Sequence, residues 1–314
     1  MTEPSLPSVT VTILTLNGEC FLDAILTAIE EQKYSGDVET LVIDSGSIDG
    51  TLGIVGSHPS ARLHTIPNEQ FGHGKTRNLA AQLATGDIVV YLTQDAVPAD
   101  DRWLSELAAP FIDDPRIVAV FGKQVPRPAA PPVLKYDIQR VFERLGPDFG
   151  ITVVWDTGGS MGGNARAAAA FYSDANSAAR RDILLGPVPY RDVPYAEDQL
   201  FGRDLFNQGF RKAYAPRAAV EHSNDVTLRT FGRRITDEVV GLRQIGTDVP
   251  PVSRIAAIKQ FVKWSTADAA SILLDPEYSV PRKFYWLIVN PWYHVAKWRA
   301  YRKSTRLSVR RLDD

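Results

Sequence analysis

Ile88-Val89-Val90-Tyr91-Leu92-Thr93-Gln94-Asp95 is an apolar, partly β-branched run that stops on a polar triplet. Bounded by Gly86 and Asp95, it predicts a fully buried strand with a carboxylate fixed at its carboxyl end. Neighbouring segments repeat the theme. Val9 to Leu16 and Val38 to Ile43 predict buried strands, the second stopping at Asp44, and Arg62 to Ile66 and Ile117 to Phe121 predict two more. Between them Phe21, Leu22, Ile25, Leu26 and Ile29 recur at helical spacing, and Lys75 to Ala84 and Arg102 to Phe111 also read as helices. The alternation predicts an α/β fold with a Rossmann-like, mostly parallel central sheet flanked by helices. Ligands of open sheets sit outside the carboxyl ends of the strands. Asn17, Asp44 and Asp95 all fall just past such ends.

The second half is less regular. Pro126 to Pro132 reads as a connector, Gly158 to Gly163 as a glycine-rich loop, Asp198 to Asn207 as a helix, and Ala218 to Glu221 as a short strand before His222. From Leu228 onward the pattern is mainly helical, and Asn290-Pro291 predicts the start of a new helix, because proline suits the first turn. The 314 residues, 44% hydrophobic and 23% charged, suffice for one large α/β domain with an appendage. A net charge of -2 argues against a dedicated nucleic-acid binder. Residues 282–311 nevertheless carry nine Lys/Arg and no Asp/Glu, interleaved with aromatics such as Phe284, Trp292 and Trp298. That is the composition of an interfacial helix on an anionic membrane, to be weighed against a helical pair packed on the domain with its cations in solvent. A lone cysteine, Cys20, excludes an internal disulfide and is expected to be a small buried residue. Neither a secretory leader nor a run of ~18 apolar residues is visible, so a cytoplasmic protein is expected, at most peripheral on the inner face of the membrane.

Several motifs can carry chemistry. Asp44-Ser45-Gly46-Ser47-Ile48-Asp49-Gly50-Thr51 is a polar turn after a buried strand. Its carboxylates suit a base NH or sugar hydroxyls, or they merely cap the turn. Gly74-Lys75-Thr76 imitates the close of a phosphate loop, but Glu69 stands where that loop needs a glycine, and an acid there repels phosphate. Arg77, in the next helical turn, either neutralises a diphosphate or is a solvated surface arginine. Asp95 can hold a divalent cation, Mg²⁺ or Mn²⁺, against phosphate oxygens. Glu197-Asp198 opens a helix, where acids suit the macrodipole, and Asp198 also suits a general base. His222 is a structural residue unless Asp95 and a diphosphate lie nearby.

The order of these motifs resembles that of family 2 inverting glycosyltransferases, which have the GT-A fold, from Val9 to about Arg234. Thr15-Leu16-Asn17-Gly18 is similar to the family's first strand end, Asp44 to Thr51 to its nucleotide-binding turn, Gly74 with Arg77-Asn78 to the segment before its metal motif, and Glu197-Asp198 to its acceptor-side acidic pair. Thr93 replaces the first carboxylate of the usual Asp-x-Asp, leaving Asp95 alone. Thr93-Gln94-Asp95-Ala96, Asn176-Ser177-Ala178, Ala196-Glu197-Asp198-Gln199 and Glu221-His222-Ser223 resemble the bacterial rhamnosyltransferase branch, which uses dTDP-L-rhamnose to extend cell-envelope glycans.

The resemblance implies a GT-A domain over 1–234, with a donor half to about 125 and an acceptor half from about 126, and a C-terminal helical extension over 235–314. It implies a donor site bordered by Thr15, Asn17, Asp44, Asp49, Arg77, Gln94 and Asp95, a cation at Asp95 and His222, Asp198 as base, and Glu197 and Trp155 on the side of a saccharide or polyprenyl-linked acceptor. A UDP- or GDP-sugar donor is the alternative within enzymes. A degenerate membrane-associated scaffold is the alternative outside them. Thr93 favours that scaffold, and the retained Asp44, Arg77, Asp95 and Asp198 disfavour it.

Overall fold

In a computed structural model of the chain, residues 6–158, 163–224 and 226–311 are described; residues 159–162 of the expected glycine-rich loop lie outside them. In chain order the elements are β1 (Val9–Thr15), α1 (Leu22–Glu30), β2 (Val38–Asp44), α2 (Thr51–Ser57), β3 (Ala61–Thr65), α3 (His73–Leu83), β4 (Ile88–Thr93), β5 (Val97–Pro98), α4 (Trp103–Asp113) and β6 (Ile117–Val125). There follow α5 (Pro132–Glu143), β7 (Thr152–Val154), α6 (Gly163–Ala170), β8 (Asn176–Arg180), α7 (Arg181–Leu185), α8 (Glu197–Asn207), β9 (Arg211–Glu221), α9 (Leu228–Gln244), α10 (Arg254–Leu274) and α11 (Val280–Ser304). They form two compact units. Residues 1–125, 142–193 and 197–222 make the first, and 126–141, 194–196 and 223–314 the second.

The first unit is the expected α/β body. Its strands lie in the order β3-β2-β1-β4-β8-β6-β9-β5, with β7 also on β9. β1, β2, β3, β4, β6 and β9 share one direction, whereas β8 runs against β4 and β6, and β5 and β7 run against β9. Val9, Val11, Ile13, Val90 and Leu92 fill the core, with α1 and α4 packed on it through Leu22, Ile25, Trp103 and Leu107. β1 is buried on both faces, as strands of parallel sheets are, so its threonines need internal partners. Thr12 Oγ1 donates to Val90 O at 2.7 Å, and Thr10 Oγ1 to Glu39 at 2.7 Å. One edge of the sheet therefore gathers Thr15, Asp44, Thr93, Val125 and Glu221, all at carboxyl ends, together with Asn176 at the amino end of the reversed β8.

Three expectations change here. β9 begins at Arg211, seven residues before the predicted strand, because Lys212, which masks the apolar run in the sequence, is buried and donates to Phe171 O at 2.5 Å. Helix α5 begins on Pro132, at the end of the segment expected to be a connector. Cys20 is exposed in the turn before α1 rather than buried.

The second unit is helical. Val133, Leu134, Phe231, Ile235, Ile272, Trp286 and Tyr293 form its core. The boundary expected at 234/235 falls inside α9, whose start is instead capped by Thr227, and the unit's last segment begins at Ser223. α11 passes straight through Asn290-Pro291, where a new helix was expected. An interior proline loses one backbone bond and strains the preceding turn, so packing must hold the helix together. Asn290 is anchored in the core: its Oδ1 accepts from Val133 N at 2.9 Å and its Nδ2 donates to Asp268 at 3.1 Å. Asp268, fully enclosed, also accepts from Arg140 at 2.6 Å and contacts His294 Nε2 at 2.7 Å. Among the described residues no helix is long and apolar enough to cross a membrane.

Candidate active site

The β1 and β2 ends are sewn into one rigid rim. Asp44 accepts from Thr15 Oγ1 at 3.0 Å and from the amides of Gly46 and Ser47 at 2.9 and 3.0 Å. Gly46 turns there with φ 96°, a conformation that favours glycine. Asn17 is held at φ 51°, its amide donating to Ser47 Oγ and its Oδ1 accepting from Ile48 N. Asp49, just ahead of α2, accepts from Thr51 N at 3.0 Å and from Glu19 N at 3.3 Å. Gln94 is locked by exchanging two bonds with the backbone of Leu16, at 2.8 and 3.2 Å. Asn17 and Asp44 thus stand at the crevice edge, but Asp44 is 1% exposed with both oxygens bonded, so it braces the rim as Asp49 and Gln94 do.

Beside this rim, Asp95 and His222 meet. His222 Nε2 lies 3.4 Å from Asp95 Oδ2, and its Nδ1 lies 2.9 Å from Gln124 Oε1. An acceptor on Nδ1 fixes that nitrogen as the N–H and turns Nε2 toward Asp95, the usual second support of a metal-binding histidine. Thr93 ends β4 with an enclosed hydroxyl that has no hydrogen-bond partner among the described residues. Among the described residues, no group of three or more His, Cys, Asp or Glu could hold a metal. One carboxylate and one imidazole still suit Mg²⁺ or Mn²⁺ when phosphate oxygens complete the shell.

The third cluster surrounds Arg77. α3 docks closely on residues 190–192: a Cβ on Gly74 would lie 2.0 Å from Arg191 O, and Asn78 exchanges bonds with the Tyr190 backbone at 2.8 and 2.9 Å. This buries Arg77, which the sequence left on a diphosphate or in solvent. Its Nη1 donates to Glu197 at 2.6 Å, its Nε lies 2.8 Å from Asp174, and its plane rests near the rings of Tyr91 and Tyr190. The guanidinium is thereby committed to protein carboxylates.

Asp174 also accepts from Ser177 Oγ and Tyr190 OH, both at 2.8 Å, and its amide donates to Asp198 at 3.4 Å. Three carboxylates therefore share one cation, an excess that a half-enclosed site resolves by keeping a proton. Burial, then the Glu197 and Asp174 carboxylates, push Asp198 up to about 8. The helix bearing it follows Ala196, a non-glycine residue at φ 61°. Such left-handed strain is typical of functional sites.

The sheet edge thus brings together Thr15, Asn17, Asp44, Asp95, His222, Glu197 and Asp198. Trp155 is placed elsewhere. Its ring carries the guanidinium of Arg211 at 4.6 Å, at the amino end of β9, roughly 30 Å along that strand from His222. Two residues escaped the sequence: Asp174, whose partner Arg77 is 97 positions away, and Gln124. Gln124 joins the two chemistries, since its Nε2 donates to Ser173 Oγ at 2.9 Å, next to Asp174, while its Oε1 holds His222. The only sequence signal for Asp174 was its position two residues before Asn176-Ser177-Ala178.

Comparison with known proteins gives consistent matches. The family model "Glycosyl transferase family 2" matches residues 10–173. The O-antigen chain rhamnosyltransferase RfbN of Salmonella typhimurium is 30% identical over 240 residues, covering 73% of this chain and 70% of the relative. WbaN of Salmonella anatum, of the same description, is 30% identical over 244 residues, covering 74% and 71%. Mannosyltransferase PcManGT from Pyrobaculum calidifontis, solved in complex with GDP-Man and Mn2+, has a TM-score of 0.59 at 21% identity, over 96% of this chain and 86% of that one. The fold is the GT-A-like one that the motif order implied.

Proposed function

Because this chain belongs to glycosyl transferase family 2, we propose that it transfers L-rhamnose from dTDP-L-rhamnose to a saccharide acceptor, polyprenyl-linked, with inversion at the anomeric carbon. The names of the two Salmonella relatives support rhamnose. The observation that carries the mechanism is the pairing of two chemistries on one sheet edge: Asp95 with His222, and Asp198 among surplus carboxylates. Asn17 and Asp44 border the nucleoside on a rim held by Thr15, Asp49 and Gln94. Asp95 and His222 would hold a divalent cation, whose charge stabilises the departing diphosphate. Asp198 takes the acceptor hydroxyl proton as that oxygen bonds to the anomeric carbon and the bond to the diphosphate breaks. One displacement of this kind inverts the centre without a covalent enzyme intermediate. The Asp174 and Gln199 amides orient the base, and Glu197 and Arg77 set the charge around it. A lipid-linked acceptor brings the basic aromatic stretch 282–311 to an anionic membrane surface on the inner face of the cell membrane.

Thermal shift against dTDP, UDP and GDP, each with and without Mg²⁺ or Mn²⁺, tests the donor, since only ligands of the native state raise its melting temperature. dTDP with a cation should give the largest shift, and dTDP-rhamnose should release nucleotide when acceptor is present. A larger shift with UDP or GDP would overturn the donor assignment. Asp95→Ala should abolish the cation-dependent part of donor binding; unchanged calorimetric titration would remove Asp95 from the site.

A further inference from the structure

We infer that a groove between α10 and α11 captures the phosphate headgroup of an anionic membrane lipid; this rests on the membrane-facing reading of the C-terminal region and names the site that reading lacks. The groove, of about 420 Å³, is lined by Ile258, Phe261, Val295 and Trp298 on an apolar floor and by Arg254, Arg299 and Arg302 among its remaining residues. Its size suits a small ligand or headgroup.

Three observations converge on an anionic amphiphile. The first is charge. Among the described residues no carboxylate pairs with Arg254, Arg299 or Arg302, and burial followed by the charges of Arg306 and Arg254 lowers the pKa of Arg302. Cations crowded in this way lack a counter-charge among the described residues. The second is unmet donors. Among the described residues the enclosed Trp298 Nε1 and Arg302 Nε have no hydrogen-bond partner. Buried donors nearly always find acceptors, and phosphate oxygens supply them.

The third observation is the surface that leads to the groove. On α11 Val280, Phe284, Ile288 and Trp292 recur every four residues and are 60–69% exposed. Continued at helical spacing, the same face reaches Val295, Arg299 and Arg302. On α10 Ile255, Ile258 and Val262 are likewise exposed. An apolar stripe about 22 Å long, from Val280 to Val295, that ends among cations matches acyl chains beside charged headgroups. Nucleic acid would leave that stripe in water.

Vesicle flotation of the full chain tests the site. Wild type should bind phosphatidylglycerol-containing vesicles at least about tenfold more tightly than pure phosphatidylcholine vesicles, and high salt should weaken the binding. Arg254→Gln/Arg299→Gln/Arg302→Gln should lower the partition by about a hundredfold, at roughly fivefold per cation. The control Lys33→Gln/Arg116→Gln/Arg217→Gln, with the same net charge and exposed sites in the first unit, should retain most of it. Equal binding by wild type and the groove variant, or equal losses in groove variant and control, would overturn the groove while leaving the membrane-facing reading standing. Absence of wild-type binding would overturn both, as would a dimer by light scattering that fails to bind vesicles. None of these readouts depends on glycosyl transfer.

Discussion

Asp198 sits at about 8 because burial and two neighbouring carboxylates hold its proton. A base must be ionised to act. At that pKa roughly a tenth of Asp198 is ionised at pH 7, about half at pH 8 and about nine-tenths at pH 9. Wild-type kcat/KM for the acceptor, which at saturating donor reports the donor-bound enzyme before acceptor binds, should therefore rise about fivefold from pH 7 to pH 8 and about twofold more to pH 9. Asp198→Asn should lower turnover at least ~100-fold and flatten the profile. Stability should move the other way. The native pKa lies above the ordinary value of 3.8, so the folded state binds more protons than the unfolded chain between the two. Stability from this group is complete below about pH 4 and is lost as pH rises through about 8. The melting temperature of Asp198→Asn should then exceed that of wild type by a margin that widens toward alkaline pH. The assay is nucleotide release at saturating donor with acceptor varied, alongside thermal melts at matched pH. A flat wild-type profile between about pH 6.5 and about pH 9, or a variant retaining more than about a tenth of the rate, would refute the reasoning.

Other perturbations test the parts around it. Glu197→Gln removes the larger charge neighbour of Asp198 and should move the alkaline rise in kcat/KM to lower pH; an unmoved rise would show that burial, not this charge, sets the base. Arg77→Met strands Asp174 and Glu197 without their cation and should cost about 3–5 kcal/mol in urea unfolding, with Arg77→Lys a poor rescue because it lacks the planar fork. Gln124→Leu frees the His222 ring and should weaken cation-dependent donor binding about tenfold or more by calorimetry, whereas a packing role would leave that affinity alone.

The donor half was legible because its central strands β1 and β4, and most of β2, are buried on both faces. Such strands are written as β-branched runs, and their ends mark the crevice, which is how Asp44 and Asp95 could be found. β8 was not legible. Asn-Ser-Ala-Ala-Arg has no strand signature, and its place follows from position: small residues fit between β4 and β6, with Asn176 bonded to Trp103 Nε1 and Ala218 O. Arg77 was recognisable as a motif residue but not as a buried one, because its carboxylates come from elements about a hundred positions away. Pro291 misled for a related reason. Local propensity ends a helix there, and only the anchoring of Asn290 in a distant polar core carries α11 through.

That anchoring sets an order of events during synthesis. The sheet of the first unit is complete once β9 has emerged, at Glu221. The segment 126–141 is by then already made, with Val133, Leu134 and Tyr136 destined for burial in the second unit. Its partners come last: Asp275 for Lys135, Asn290 for the Val133 amide, and Lys297 for Asp137. Phe231 and Ile235 of α9 can cover part of this piece earlier, but its α11 partners arrive only after more than a hundred and fifty residues of elongation, leaving apolar side chains open to chaperones and to other nascent chains until then. Truncation or stalling before α11 should accordingly yield a chain with a sound sheet and a sticky, unfinished second half.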